Sequence, residues 1–147
     1  VPHANTTDWT GAGLVEVWSF DKRDFRSFQV DFPIEGTFEN NGFGYDMDFV
    51  TNEVLVASGS NSDARSGVVR VFTAPNNIYE QVGRDIVGLP MTTMTQQGGD
   101  DGDVPWFGAG PSVSIVDTGR GRRLAIGYEN VILSDGRSGP IIRIFHF

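Results

Sequence analysis

The chain has 147 residues, a net charge of −8 and no cysteine. Such an acidic chain disfavours non-specific binding to nucleic acid or to an anionic membrane surface, because both reward a basic surface. The lack of cysteine excludes a disulfide framework and a thiolate metal site. No apolar run approaches the roughly 18 residues of a membrane-spanning helix.

Glycine and short apolar runs dominate the pattern along the whole chain. The 19 glycines are spread between these runs, and no segment keeps a helical apolar period over several turns. The sequence therefore predicts an all-β fold with many turns.

The first strand pattern in the chain returns twice. GLVEVWSF at residues 13–20 recurs as GVVRVFTA at residues 67–74, an offset of 54 residues, and GPIIRIF at residues 139–145 is a third copy with one inserted residue. The same offset carries Phe28 onto Val82 and Phe25 onto Tyr79. We therefore predict that these segments are equivalent strands of a repeated unit.

The alternation inside the second copy predicts how its strand is packed. Val69 and Val71 would face one side of the sheet, whereas Val68, Arg70 and Phe72 would face the other. This pattern is typical of a sheet that lies between two neighbours.

A second repeated pattern precedes these strands. Residues 44–50 (GYDMDFV) correspond to 110–116 (GPSVSIV), and residues 54–58 (VLVAS) correspond to 123–127 (RLAIG). Residues 79–87 (YEQVGRDIV) follow as one fourth strand. Four antiparallel strands per unit are the plan of a propeller blade. A β-sandwich without repeats is the alternative, but it would not explain the fixed offset.

The predicted fold is thus a partial β-propeller of about two and a half four-stranded antiparallel blades, in a single segment. Residues 1–37 form the second half of a blade, 38–90 a full blade and 91–147 an incomplete third blade. Propellers close with about four to eight blades. We expect the remaining blades to come from a larger polypeptide, or the edges to be covered by further copies or by a partner.

These residues resemble the FG-GAP, or integrin-α-like, β-propeller repeats, and most closely those of secreted repeat proteins of marine microbes and algae. The similarity covers residues 11–147. It rests on Phe43-Gly44, Phe107-Gly108, SVSI at 112–115, LAIG at 124–127, SGVVRVF at 66–72 and YEQVGRDIVG at 79–88. The resemblance implies an extracellular or secreted protein (alternatively one in an organelle lumen) that binds a partner and is not an enzyme.

Calcium is the cofactor that the resemblance to this family suggests. Family members often carry a calcium loop between the first two strands of a blade, but residues 51–53 and 117–120 here supply too few oxygen ligands. Those sites are not carried over. The acidic loop GGDDGDVPW at residues 98–106 could instead collect Ca²⁺ through Asp100, Asp101 and Asp103, or it is a solvated connection between blades. No other cofactor is expected.

A partner-binding face is predicted where three long polar loops emerge together, at residues 59–66, 92–106 and 129–137. Aromatic side chains beside polar loop residues are typical of recognition surfaces. The alternative for Trp106 is packing between blades. The candidate contact residues are Asn61, Asp63, Trp106, Tyr128 and Glu129.

Three smaller features complete the sequence. GRGRR at residues 119–123 is interpreted as a solvated hairpin turn rather than a phosphate grip, and Asn5 begins a glycosylation sequon. His3 and His146 lie at opposite ends, which argues against a histidine pair.

The predicted function is a non-enzymatic interaction or scaffolding module that binds protein or glycan, or that builds an assembly. The alternatives are lectin-like carbohydrate binding and membership of a propeller hydrolase, which needs paired carboxylates across a pocket. The partner is a protein, a glycan or the remaining blades, with no nucleic acid and no membrane span expected.

Overall fold

The computed structural model describes residues 4–8, 10–24, 27–29, 33–37, 42–51, 54–59, 67–76, 78–88 and 111–147. All regular structure in these residues is β-strand, which confirms the predicted all-β class. Over the same residues there is no helix with the length and apolarity that crossing a membrane requires.

Within the described residues, twelve strands fall into three units along the chain. The first unit has β1 to β4, the second β5 to β9 and the third β10 to β12. Their bounds are β1 Leu14–Val15, β2 Trp18–Phe20, β3 Ser27–Gln29, β4 Ile34–Glu35, β5 Met47–Thr51, β6 Val54–Gly59, β7 Val68–Thr73, β8 Glu80–Gln81, β9 Ile86–Val87, β10 Ser112–Asp117, β11 Arg122–Ile132 and β12 Ser138–His146.

Every pairing between the described strands is antiparallel. In the first unit β1 pairs with β4 and β2 with β3; in the second, β5, β6 and β7 are neighbours in that order, and both β8 and β9 pair with β7. The third unit has the order β10, β11, β12. The described sheets do not close into a ring.

The second and third units match in register. Phe49 pairs with Leu55, which pairs with Phe72; Ile115 pairs with Leu124, which pairs with Phe145. Strand residues with the same pairing therefore occupy equivalent positions in the two units.

The offset of 54 residues relates β1–β2 of the first unit to β7 of the second, but it does not relate the strands that pair with them, which are β3–β4 and β8–β9. Leu14 and Val68, which are 54 positions apart, pair with Glu35 and Val87, which are 52 positions apart. The connection from β2 to β3 in the first unit is thus two residues longer than the connection from β7 to β8 in the second. Phe28 is therefore equivalent to Glu80 rather than to Val82.

The fourth strand of the second unit is also broken rather than continuous. It pairs with β7 at Glu80–Gln81 and again at Ile86–Val87, with Gly83 at φ +74° between the two pieces. A positive φ is not a strand conformation, so the chain leaves the ladder and returns to it.

The second unit is packed on both faces, as the alternation in β7 predicts. Val69 and Val71 belong to a core shared with the third unit, together with Ile115, Leu124 and Ile126. Phe72 belongs to a separate core with Val15 and Phe43, against which Val17 and Ile34 of the first unit also pack. The three units therefore stack face to face in chain order.

Candidate functional site

Three of the predicted site residues lie within the described part of the chain: Tyr128, Glu129 and Asn5. The others lie outside it. They are the predicted contact residues Asn61, Asp63 and Trp106 and the predicted calcium ligands Asp100, Asp101 and Asp103.

Tyr128 lies in the core shared by the second and third units and is only 2% exposed. Burial raises the pKa of its phenol, and the neighbouring Arg143 guanidinium opposes this effect. A side chain placed in this way contributes to packing, so we leave Tyr128 out of the candidate binding surface.

The predicted loop over residues 129–137 is mostly a β-hairpin. Strand β11 continues to Ile132 past a one-residue bulge between Tyr128 and Val131, and only residues 133–137 form the turn. The sequence predicts a loop here because the bulge interrupts the alternation of apolar and polar residues. The strand nevertheless continues past the bulge.

This hairpin arm, defined as residues 129–140, presents an exposed polar tip on a buried base. Val131 is buried in the core, whereas Glu129 is exposed. In the turn, Arg137 donates to the Asp135 carboxylate, which lowers the pKa of that acid. The arm is therefore a charged surface at the hairpin end of β11 and β12.

Asn5 is exposed, as a glycosylation sequon requires. Its Oδ1 accepts a hydrogen bond from the Gly11 amide at 3.0 Å. A glycan is attached to the other amide atom, Nδ2, so this bond is compatible with modification.

Two aspartates that the sequence analysis did not single out join neighbouring units. Asp46 Oδ2 accepts from the Val113 amide at 2.8 Å, and Asp48 Oδ2 accepts from the Ile115 amide at 2.8 Å and the Ser114 hydroxyl at 3.1 Å. Both amides lie on the edge of β10 that does not pair with β11. These carboxylates therefore serve structure.

A second polar cluster lies between the first and second units. Arg70, 5% exposed, donates to both carboxylate oxygens of Asp85, at 3.0 and 3.1 Å, and to the Thr37 hydroxyl. Its guanidinium also lies 5.1 Å from the centre of the Phe43 ring. A buried arginine needs such partners, and sequence alone could not locate them.

Asp85 is held in its charged form by this cluster. Burial by itself would raise the pKa of Asp85, but hydrogen bonds from Arg70 and Gln81 and the Arg70 charge outweigh burial. Its pKa therefore lies below the usual value, which is the behaviour of a structural ion pair rather than of an acid poised for proton transfer at neutral pH.

The segment GRGRR forms a hairpin turn between β10 and β11, at the opposite end of β11 from the hairpin arm. Thr118 donates to the Gly121 carbonyl, and Asp117 lies 4.0 Å from Arg122. The basic residues of the turn, Arg120, Arg122 and Arg123, line a cavity of about 330 Å³ with His146.

No group of three or more metal-binding side chains occurs among the residues that the structure describes. The acidic loop predicted to bind Ca²⁺ lies outside those residues, so its role stays a prediction.

Comparison of the chain with known protein families, with curated proteins and with solved structures finds no match.

Proposed function

We propose that this chain is a non-enzymatic interaction or scaffolding module, built as a segment of an FG-GAP-type β-propeller and acting in an extracellular or lumenal compartment. The observation that carries the proposal is the face-to-face stacking of the three units, with the second unit buried on both sides. Stacked four-stranded antiparallel sheets are the building plan of propellers, which commonly serve as rigid platforms for partners.

The partner-binding surface would lie on the side of the molecule where the hairpin arm joins β11 and β12. Glu129 and the Asp135–Arg137 pair are exposed there. In a propeller the loops containing Asn61, Asp63 and Trp106 would emerge on the same side. A rigid polar surface with an aromatic side chain suits a glycan or a protein loop.

A hydrolase receives less support. Asp46 and Asp48 are neighbouring carboxylates of the kind that glycoside hydrolysis uses, but both accept hydrogen bonds from the amides of β10. Calcium binding by Asp100, Asp101 and Asp103 is kept as a subsidiary proposal. Titration calorimetry of the chain with Ca²⁺ tests it, and equal heats from the wild type and from Asp101→Asn would exclude this loop.

An array of neutral and acidic oligosaccharides, probed with the labelled chain, tests the glycan form of the proposal. We expect retention that Trp106→Ala or Glu129→Ala weakens by about tenfold, a typical effect of losing one contact residue. Arg120→Ala, exposed at the opposite end of β11, is the matched control and should bind as the wild type does. Conversion of a retained oligosaccharide, seen by mass spectrometry, would show an enzyme instead.

A further inference from the structure

Because the second and third units match in register, two exposed isoleucines of the third unit occupy the same strand positions as two buried valines of the second. Because Phe72 and Phe145 pair with equivalent leucines, Val69 is equivalent to Ile142 and Val71 to Ile144. Val69 and Val71 are 0% and 9% exposed, since the third unit covers them. Ile142 and Ile144 are 73% and 62% exposed.

The outer face of the third unit combines exposed isoleucines with small neighbours. Cross-strand pairing places Ser112, Gly127 and Ile142 in one row, and Ser114, Ala125 and Ile144 in the next. The exposed isoleucines of β12 therefore lie beside small residues of β11. A large apolar side chain from another sheet could pack against the isoleucines and over these small residues.

The outer face of the first unit carries such a side chain. Trp18 and Phe72 occupy equivalent positions, because β1–β2 and β7 are related by the offset of 54 residues and Trp18 pairs with Gln29 as Phe72 pairs with Gln81. Phe72 is 5% exposed beneath the first unit, whereas Trp18 is 55% exposed.

The two outer faces reproduce the chemistry of a contact that already exists inside the chain. Between the first and second units, the β-branched Val15 of β1 and Val17, which lies between β1 and β2, pack in one core with the aromatic Phe72. Their equivalents on the two outer faces are Ile142 and Ile144 on one side and Trp18 on the other. The two outer faces are therefore complementary in the same way as the inner ones, with β-branched side chains on one face and an aromatic side chain on the other.

We propose that copies of this chain associate head to tail, with Ile142 and Ile144 of one copy packed against Trp18 of the next. Such an interface joins two different surfaces, so a dimer keeps one free face of each kind, and further association leads to a closed ring or an open array. This inference rests on the stacked-unit architecture of the proposed function but not on its partner-binding surface.

Sedimentation velocity of the 147-residue chain over a wide concentration range is the first test. We expect wild-type protein to form species heavier than the monomer, and we expect Trp18→Asp and the double variant Ile142→Asp/Ile144→Asp to lose about tenfold or more in association. Ile78→Asp is the matched control, because Ile78 is an equally exposed apolar side chain outside both faces. A wild-type chain that stays monomeric throughout would overturn the proposal.

Mixing the two face variants gives the sharper result. Each retains one intact face, so an equimolar mixture should form a one-to-one dimer although neither variant associates alone. An interface between two identical faces could not be restored in this way. Failure of the mixture to associate, with both variants folded by circular dichroism, would contradict the head-to-tail arrangement.

A covalent version does not depend on the stability of charged variants. The chain has no cysteine, so the only thiols in a mixture of Trp18→Cys with Ile144→Cys are the two introduced ones. We expect oxidation of an equimolar mixture to yield the mixed disulfide dimer well beyond the share that random pairing gives; a share no larger than random pairing would reject the proposed contact. The oligosaccharide array separates the two proposals, since a wild-type chain that stays monomeric but binds oligosaccharides would remove only this inference.

Discussion

The Asp48 carboxylate of the second unit accepts a hydrogen bond from the Ile115 amide of the third, at 2.8 Å. The donor lies on the edge of β10 that does not pair with β11, where an amide has no strand partner within its own sheet. A charged acceptor on such an amide replaces the ladder bond that a further strand would supply. Adjacent units are therefore joined by directed hydrogen bonds as well as by their apolar core.

Replacing Asp48 should weaken this junction. Asp48→Ala removes the acceptor for the Ile115 amide and the Ser114 hydroxyl, and we expect the free energy of unfolding to fall by about 1–3 kcal/mol. Urea unfolding followed by circular dichroism measures the change. Asp8→Ala, at an exposed aspartate, is the control and should change stability by less than about 0.5 kcal/mol. Equal effects of the two variants would deny the Asp48 bonds a structural role.

The Arg70–Asp85 pair should make stability depend on pH on the acid side. A carboxyl whose pKa is lowered by folding stabilises the folded state above its unfolded pKa of about 3.9, and this contribution is lost as the pH falls through the lower folded pKa. Asp85→Asn should cost about 1–3 kcal/mol at neutral pH, because Arg70 loses a charged partner.

The comparison that isolates this effect is the difference in unfolding free energy between wild type and Asp85→Asn, measured from neutral pH down to about pH 3. We expect the difference to shrink as the pH falls below about 4. Asp135→Asn is the matched control: its pKa is also lowered, by Arg137, but the pair is exposed and solvent screens it. A constant difference for Asp85→Asn would assign its cost to packing instead of charge.

Many strand positions could be predicted from the sequence for a simple reason. A strand that is covered on both faces reads as a nearly continuous apolar run, and β7 has such a run, with Val69 and Val71 on one side and Phe72 on the other. The glycine at the start of this strand, Gly67, also marks a local backbone conformation that few other residues adopt.

Contacts between units were not accessible in the same way. Asp48 sits in an alternating strand, where it has the pattern of any solvent-exposed acid, and its partner is 67 positions along the chain. Tyr128 stands between a glycine and a glutamate, which suggested a loop edge, but the bulge that follows keeps it in the core. Such placements follow from how sheets stack, and local periodicity does not encode that.

Gly67 provides a test of close packing between the second and third units. A Cβ at Gly67 would overlap Cδ of Pro111 and would lie 2.5 Å from the Gly59 carbonyl oxygen, and φ is +96°. Gly67→Ala should therefore cost about 2–5 kcal/mol, from backbone strain and overpacking together.

Gly83 is the natural control for that substitution. It also has a positive φ, +74°, but nothing lies within 4 Å of the position that an alanine Cβ would take, so Gly83→Ala should cost only about 1–2 kcal/mol of backbone strain. Thermal unfolding of the two variants side by side gives the comparison. If both lose the same stability, the approach of Pro111 to Gly67 contributes nothing beyond the backbone conformation.

Tyr128→Phe tests whether Tyr128, which the sequence predicts to be a contact residue at the surface, contributes to binding or only to packing. Its buried hydroxyl has no hydrogen-bond partner among the described residues, so removing it should change the free energy of unfolding by less than about 1 kcal/mol. Leu124→Ala, in the same core, should cost about 2–5 kcal/mol.

Oligosaccharide binding by Tyr128→Phe should equal that of the wild type. A large loss of stability would instead mean that the hydroxyl bonds to a neighbour such as Arg143, and a selective loss of binding would return Tyr128 to the recognition surface.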